Sequence, residues 1–134
     1  VAGIGRPMKV SKENIVGLVT AIELFTDSDE GIEWDGWQSK ANYVAERLGG
    51  IDGVNVVIED DPNERQGPQP VLRFDDAYEG PPIAEIKTRL ESGDPAIFVG
   101  GAEARGEISI VMVNVRDGEE IIIADRLIEI LRSE

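Results

Sequence analysis

The amino-acid sequence predicts an α+β fold, in which two N-terminal helices precede a mostly antiparallel sheet of about four strands that is covered by helices. Three observations support this prediction. Apolar residues within positions 1–50 follow helical spacing, and no strand-like segment occurs before Val54. Four short apolar segments rich in β-branched residues follow. Two further segments with helical spacing lie between and after these strands.

The first two predicted helices occupy the N-terminal part of the chain. Ser11 suits a helix N-cap, and the apolar residues after it recur at helical spacing, namely Ile15, Leu18, Val19, Ile22 and Phe25. The acidic segment 27–36 is predicted to end this helix as a loop. A second helix is then predicted to run from Trp37 to the glycine pair Gly49-Gly50, with Ala41, Val44, Ala45 and Leu48 on one side.

The remaining elements are short. Strands are predicted at 54–58, 71–74, 96–99 and 108–115, of which the last is the longest and is apolar at nearly every position. Such a run predicts a central strand that is covered on both faces. Helices are predicted to follow Pro81-Pro82 and to begin at Glu119, because apolar residues there recur every three or four positions.

The length of 134 residues fits one domain. Within it we expect a semi-independent helical arm at residues 1–50 and a sheet-and-helix core at 51–134. The chain begins with Val1 and has neither an initiator Met nor a signal-peptide pattern. We therefore expect a processed chain or a piece of a longer protein.

Composition excludes several functional classes. The formal net charge of −14 argues against non-specific binding to nucleic acid, because phosphates are repelled. The absence of Cys and His excludes disulfides, thiolate nucleophiles, imidazole metal ligands and Ser-His-Asp catalysis. No apolar run approaches the roughly 20 residues that cross a bilayer. Acidity of this kind is typical of a solubilising surface, and it would also suit a salt-adapted host.

Several local patterns allow two interpretations. The acidic residues from Asp27 to Asp35 resemble a calcium loop, but Ile32 and Gln38 stand where an EF-hand needs Gly and Glu, so a solvated loop is preferred and no metal site is predicted. Trp34 and Trp37 suit either a ligand cleft or the packing of a helix against a neighbouring domain, and packing is favoured. The glycines of segment 100–106 suit a hairpin better than a phosphate site.

Arg6 and Lys9 form a small basic cluster in an otherwise acidic chain. They lie three residues apart on an extended lead-in, next to a helix N-terminus whose backbone N–H groups add positive potential. Spacing alone fits an anion site and an ordinary surface pair equally well.

The segment that contains this cluster resembles a known family. The stretch Gly3-Ile4-Gly5-Arg6-Pro7-Met8-Lys9-Val10, followed by Lys12-Glu13 and Ile15-Val16-Gly17-Leu18, resembles the start of the C-terminal part of pyridoxal-phosphate enzymes related to L-seryl-tRNA(Sec) selenium transferase. That group includes proteins similar to D-glucosaminate-6-phosphate ammonia-lyase. Gly93-Asp94-Pro95-Ala96-Ile97 also resembles the turn into a strand in this group, and the order of elements fits the small C-terminal domain of the aspartate-aminotransferase fold.

The resemblance implies that residues 1–134 are the C-terminal small domain of a pyridoxal-phosphate-dependent lyase or transferase that acts on an amino acid or amino sugar acid. In this family the lysine that binds the cofactor lies in the large domain, which precedes the motif and is absent from this chain. The resemblance therefore implies that this chain contains no catalytic residue, and that the isolated chain is inactive and binds the cofactor poorly. It also implies that the whole protein is cytoplasmic and homo-oligomeric.

Carried over by position, the basic residues that face the active site in the selenium transferases are Arg6 and Lys9. Those enzymes have Arg at both positions, and Lys9 is a point charge where they present a bidentate fork. The resemblance thus implies a small phosphorylated or carboxylated amino substrate. The last predicted strand, at 110–114, lacks the carboxylate-binding Arg of many fold relatives; Arg116 matches an Arg of the transferase pattern, without an assigned role.

Two other functions are compatible with the sequence. The chain could be a free-standing, non-enzymatic module for ligand sensing or oligomerisation. It could also be a structural domain whose acidity only keeps it soluble in salt.

Overall fold

The computed structural model describes residues 10–28, 30–60 and 67–133, without the side chains of Glu30 and Glu103. The chain divides into two compact units, Val1–Ile32 and Glu33–Glu134. The predicted division into an arm at 1–50 and a core at 51–134 stays a prediction.

Helix α1, Lys12–Asp27, begins where the sequence predicts. The Ser11 side chain accepts a hydrogen bond from the backbone N–H of Asn14 at 3.2 Å, which satisfies one of the free donors of the first turn. None of the residues of α1 is buried.

Helix α2, Glu30–Leu48, starts seven residues before the predicted position at Trp37. The acidic segment that the sequence assigned to a loop is therefore largely helical. Carboxylates in the first turns of a helix interact favourably with its positive N-terminal end. A high number of acidic residues therefore does not prevent a helix from forming there. The second half of α2 buries Ala41, Val44 and Leu48 in the core.

The sheet has the order β1-β2-β3, and both strand pairs are antiparallel. Strand β1 is Val54–Glu59, β2 is Gln69–Phe74 and β3 is Glu107–Ser109. Leu72 of β2 lies opposite Val56 on one side and Ile108 on the other. The predicted α+β class with an antiparallel sheet is confirmed, with three strands in the described residues where about four were expected.

The two remaining predicted strands differ from the structure. Gly100 and Ser109 exchange backbone hydrogen bonds of 2.9 and 3.3 Å, but this bridge does not extend along residues 96–99. The apolar run 108–115 pairs only at its start and then turns through a short 3₁₀ helix, Met112–Asn114. Ile108, Ile110 and Met112 are buried although only the start of the run is a strand, so its apolar character reflects partial burial and not a long strand. Strand β2, rather than this run, lies in the middle of the sheet.

Helices α3, Ile83–Glu91, and α4, Glu119–Leu131, complete the fold near their predicted positions. Each places an apolar stripe in one common core with α2 and the sheet: Ile86 and Leu90 from α3, and Ile123, Ala124, Leu127, Ile130 and Leu131 from α4. Before α4, Gly118 has φ of 89°, a left-handed conformation that glycine adopts without a Cβ penalty.

An exposed ion-pair cluster crosses the sheet. Arg73 of β2 contacts the carboxylates of Glu59 on β1 and Glu107 on β3. These contacts raise the pKa of Arg73 above its ordinary value, chiefly through the hydrogen bond with Glu107 and then that with Glu59. The cluster links all three strands on the face opposite the buried side chain of Leu72.

Leu72→Ala tests how far the core depends on the central strand. Leu72 has no exposed surface and pairs with strands on both sides, so its truncation leaves a cavity that neighbouring strands cannot easily fill. We expect the free energy of unfolding to fall by about 2–5 kcal/mol, measured by chemical denaturation. Val57→Ala on the same sheet, where the side chain is partly exposed, is the control and should cost clearly less. Equal losses would contradict this account of the core.

Candidate functional site

A cleft of about 480 Å³ lies between the segment 95–100, the segment 110–115 and the first half of α4. We call it the α4 cleft. Its apolar lining includes Pro95, Ile97, Phe98, Ile110 and Ile122. Its volume is within the range of about 300–1,000 Å³ that is common for small-molecule sites.

Backbone contacts position the walls of the cleft. The N–H of Ile97 donates to the carbonyl of Leu90 at 3.0 Å, which ties the first wall to the end of α3. The N–H of Ile110 donates to the carbonyl of Pro70 at 3.0 Å, which ties the second wall to β2. Residues 94–95 form a cis peptide bond where the first wall begins. The cleft is therefore built on the sheet and on two helices.

The side chains that line the α4 cleft do not suit an anion. Among the described residues, the polar side chains that line it are Asn114 and Glu119, and neither a Lys nor an Arg belongs to this lining. One carboxylate oxygen of Glu119 accepts the backbone N–H of Arg116 at 2.9 Å. A phosphate or carboxylate in the cleft would meet apolar walls and a negative charge, without a cation to balance it.

The predicted anion-binding residues Arg6 and Lys9 lie outside the described residues. Their role therefore stays a prediction. Arg116, which matches the transferase pattern, precedes α4 by three residues and is exposed.

The described residues do not by themselves fit pyridoxal phosphate. The Nζ atom of Lys40 is 2.9 Å from a carboxylate oxygen of Asp117 and donates to the carbonyl of Val115 at 2.7 Å. The Nζ atom of Lys87 donates to the carbonyl of Gly101 at 3.1 Å. Neither these two lysines nor Lys12 lines the α4 cleft, so its described residues offer no amine for the cofactor aldehyde and no cation for its phosphate.

The other sequence patterns have structural explanations. Across the described part of the chain, no group of three or more acidic side chains is arranged to hold a metal ion. The rings of Trp34 and Trp37 meet edge to face with centroids 6.1 Å apart, and Trp37 packs against the core of this chain, so packing against a neighbouring domain stays a prediction. Gly101 and Gly106 have positive φ values of 94° and 67° in the connection that returns to β3, which favours the turn interpretation.

A second cleft, of about 770 Å³, contains a feature that the sequence does not reveal. It lies around Tyr78 and the last residues of α4. The hydroxyl of Tyr78 is buried and has no hydrogen-bond partner within the described ranges. Burial raises the pKa of Tyr78, and nearby Arg89 opposes this effect only in part. The ring of Tyr78 packs against the ring of Phe74, with 4.7 Å between the ring centroids. No sequence pattern indicates that the hydroxyl of Tyr78 is buried.

Comparisons with known proteins relate the chain to enzymes of about three times its length. The 5'-C-glycyluridine monooxygenase-decarboxylase of a Streptomyces species is 30% identical over 134 residues, which cover 97% of this chain and 33% of that protein. The D-glucosaminate-6-phosphate ammonia lyase of Salmonella typhimurium (strain 14028s / SGSC 2262) is 30% identical over 129 residues, which cover 96% of this chain and 34% of that protein. No protein-family model matches the sequence.

A solved structure supports the same relation. The structure of a D-glucosaminate-6-phosphate ammonia-lyase superposes with a TM-score of 0.71 at 31% identity, over 96% of this chain and 34% of that one. The chain thus spans about a third of the length of the relatives that it matches.

Fold and sequence together define an α+β domain of the kind found within larger enzymes. More particularly, the chain is related to D-glucosaminate-6-phosphate ammonia-lyase and to the enzyme family of that protein. No helix in the described ranges is long and apolar enough to cross a membrane.

Tyr78→Phe tests the buried hydroxyl. Because the folded-state pKa lies above the ordinary value of 10.0, the folded protein retains this proton at pH values where the unfolded chain has lost it. Stability therefore falls as the pH rises above the ordinary value, and the variant should lose less stability there. At neutral pH the free energy of unfolding of the variant should equal that of the wild type or exceed it by up to about 1 kcal/mol, because the substitution removes no hydrogen bond. Thermal unfolding between neutral and strongly alkaline pH measures both effects.

Tyr43→Phe is the control, because Tyr43 is a partly buried tyrosine that packs against the same core. If the two variants showed the same alkaline profile, the assignment of the effect to Tyr78 would be wrong.

Proposed function

We propose that this chain is the small domain of a pyridoxal-phosphate-dependent lyase or transferase that acts on an amino acid or amino sugar acid. The observation that carries the proposal is the match in sequence and fold to D-glucosaminate-6-phosphate ammonia-lyase over 96% of the chain. The match covers only 34% of the length of that enzyme, which supports the proposal that this chain is one domain of a larger polypeptide.

In this proposal the rest of the polypeptide binds the cofactor and supplies its lysine. The described residues offer no lysine and no phosphate-binding cation in the α4 cleft, so we assign no reaction step to them. The contribution of this chain is to complete the substrate site with Arg6 and Lys9. Two cations near a helix N-terminus suit a doubly anionic or phosphorylated ligand.

The proposed substrate is a small amino compound that carries a carboxylate, a phosphate or both. The name of the matched ammonia lyase gives an amino sugar acid phosphate as its substrate, and such a compound has an amino group, a carboxylate and a phosphate. Compounds of this class are therefore the first to test. We further propose a homo-oligomeric, cytoplasmic enzyme, as the resemblance implies.

A free-standing ligand-sensing or oligomerisation module is the second candidate function. The volume and apolar lining of the α4 cleft favour it, since an uncharged small molecule would fit there. The size and spectrum of the natural gene product separate the two candidates.

The first test is the mass and visible spectrum of the full gene product. If the proposal is right, the protein is about three times longer than this chain, as its relatives are, and shows a visible absorption band that borohydride bleaches. A colourless protein, whatever its size, would overturn the cofactor assignment.

The second test replaces Arg6 and Lys9 together by Ala in the full-length enzyme. Loss of two cations should raise KM for an anionic substrate severalfold or more, because uniform binding energy is lost, while kcat changes less. Steady-state kinetics with an amino sugar acid phosphate measures both constants.

The matched control removes two positive charges elsewhere, by Arg105→Ala together with Arg132→Ala, both at exposed positions outside the α4 cleft. The control should leave KM unchanged. The same KM in the wild type and the Arg6/Lys9 variant would exclude the proposed role.

A further inference from the structure

We infer that the α4 cleft binds an uncharged nucleoside, with the base against Phe98 and Asn114 and the sugar hydroxyl groups against Glu119. The inference goes beyond the proposed function, because neither the cofactor nor the proposed anion-binding cluster enters it. The three side chains lie on different walls of the cleft, which are the segment 95–100, the segment 110–115 and the start of α4.

The aromatic ring of Phe98 is open to a ligand. Phe98 lines the cleft, yet it is 78% exposed, so most of its ring surface is accessible. A planar base gains free energy by stacking on such a ring, and every base can do so because each has a π face. An aliphatic ligand could use the other apolar walls, but it would gain nothing specific from an aromatic ring.

The amide of Asn114 supplies hydrogen-bonding groups beside this apolar surface. Asn114 is exposed, and its amide has no hydrogen-bond partner within the described residues. A carboxamide carries one acceptor oxygen and two N–H donors, so it can pair with the donor and acceptor atoms on the edge of a base. A purely apolar ligand would bury this amide without a partner, at a cost in free energy. The cleft therefore favours a flat ring with polar atoms on its edge.

The carboxylate of Glu119 decides between a nucleoside and a nucleotide. One of its oxygens accepts the backbone N–H of Arg116 at 2.9 Å, which holds the side chain at the start of the helix. The remaining acceptor positions of the carboxylate suit the hydroxyl groups of a sugar. A phosphate would meet this negative charge, and no Lys or Arg belongs to the described lining of the cleft.

The basic residues near the cleft do not convert it into a phosphate site. Lys40, Lys87 and Arg126 each donate to a backbone carbonyl, at 2.7, 3.1 and 3.1 Å. Lys40 is also paired with Asp117 at 2.9 Å. Arg116 is exposed and lies outside the described lining.

The charge of the whole chain argues against a nucleic acid as the source of the base. A formal net charge of −14 repels a phosphate backbone. The volume of about 480 Å³ is within the range that is common for a single small molecule. The ligand class that fits both observations is a free nucleoside.

Isothermal titration calorimetry of the full-length protein tests the inference, with uridine and adenosine as probes and uridine 5'-monophosphate as the charged comparison. We expect both nucleosides to bind. Uridine 5'-monophosphate should bind at least about tenfold more weakly than uridine, because its phosphate meets the carboxylate of Glu119. Absence of nucleoside binding, or equal affinities for uridine and its monophosphate, would overturn the inference.

Two variants assign the binding to the cleft. Phe98→Leu keeps an apolar side chain but removes the π face, so it should weaken uridine binding about tenfold. Glu119→Gln removes the negative charge but keeps an oxygen that can accept the N–H of Arg116, so it should reduce the preference for uridine over its monophosphate. Because this second variant changes no core side chain, it tests the inference even if the first one unfolds.

Phe25→Leu is the matched control, because Phe25 is 67% exposed and does not line the cleft. Its affinity for uridine should equal that of the wild type. Equal losses of affinity at positions 25 and 98, or an unchanged preference in Glu119→Gln, would contradict binding in the α4 cleft.

The outcome is independent of the proposed function. A protein that shows the visible absorption band but binds no nucleoside would contradict only this inference. A colourless protein whose uridine binding responds to the variants as described would contradict only the cofactor assignment.

Discussion

Burial of strand β2 between its two neighbours is the constraint on which the rest of the structure depends. Leu72 has no exposed surface and lies opposite residues of both β1 and β3. The same strand ties down the wall of the α4 cleft, because the carbonyl of Pro70 accepts the N–H of Ile110. The shape of the cleft thus follows from the register of the central strand.

The chain also separates apolar surface into two kinds. Side chains such as Leu90 and Leu127 are completely buried in a common core. Phe98 and Ile122 instead surround an open cleft and remain substantially exposed. Helix α1 also exposes apolar side chains, such as Leu18 and Phe25. The cleft does not suit a charged metabolite, because the described residues that line it place no cation beside the carboxylate of Glu119.

The anion chemistry and the apolar cleft therefore belong to different parts of the chain. In the proposed function Arg6 and Lys9 supply the positive charge that a phosphorylated substrate needs, whereas the described residues that line the cleft include a carboxylate and no cation. A division of this kind suits the proposed small domain, which would contribute a few side chains to a site that the rest of the polypeptide completes. Such a domain is informative about binding, while the chemistry depends on groups that its described residues do not supply.

Local sequence determined the fold class, the caps and most of the helices. Ser11 and the spacing of apolar residues set the start of α1, and the stripes of α3 and α4 follow directly from their periodicity. The resemblance of residues 3–18 to a known family came from a local motif, and the match to D-glucosaminate-6-phosphate ammonia-lyase over 96% of the chain supports it. Tertiary structure alone decided that the run 108–115 turns after Ser109 and that Ile122 faces a cleft while Ile121 does not. The physical reason is that an apolar run is equally compatible with a strand, a turn and a cleft wall. Only long-range packing and backbone pairing, such as that of β3 with β2, choose among them.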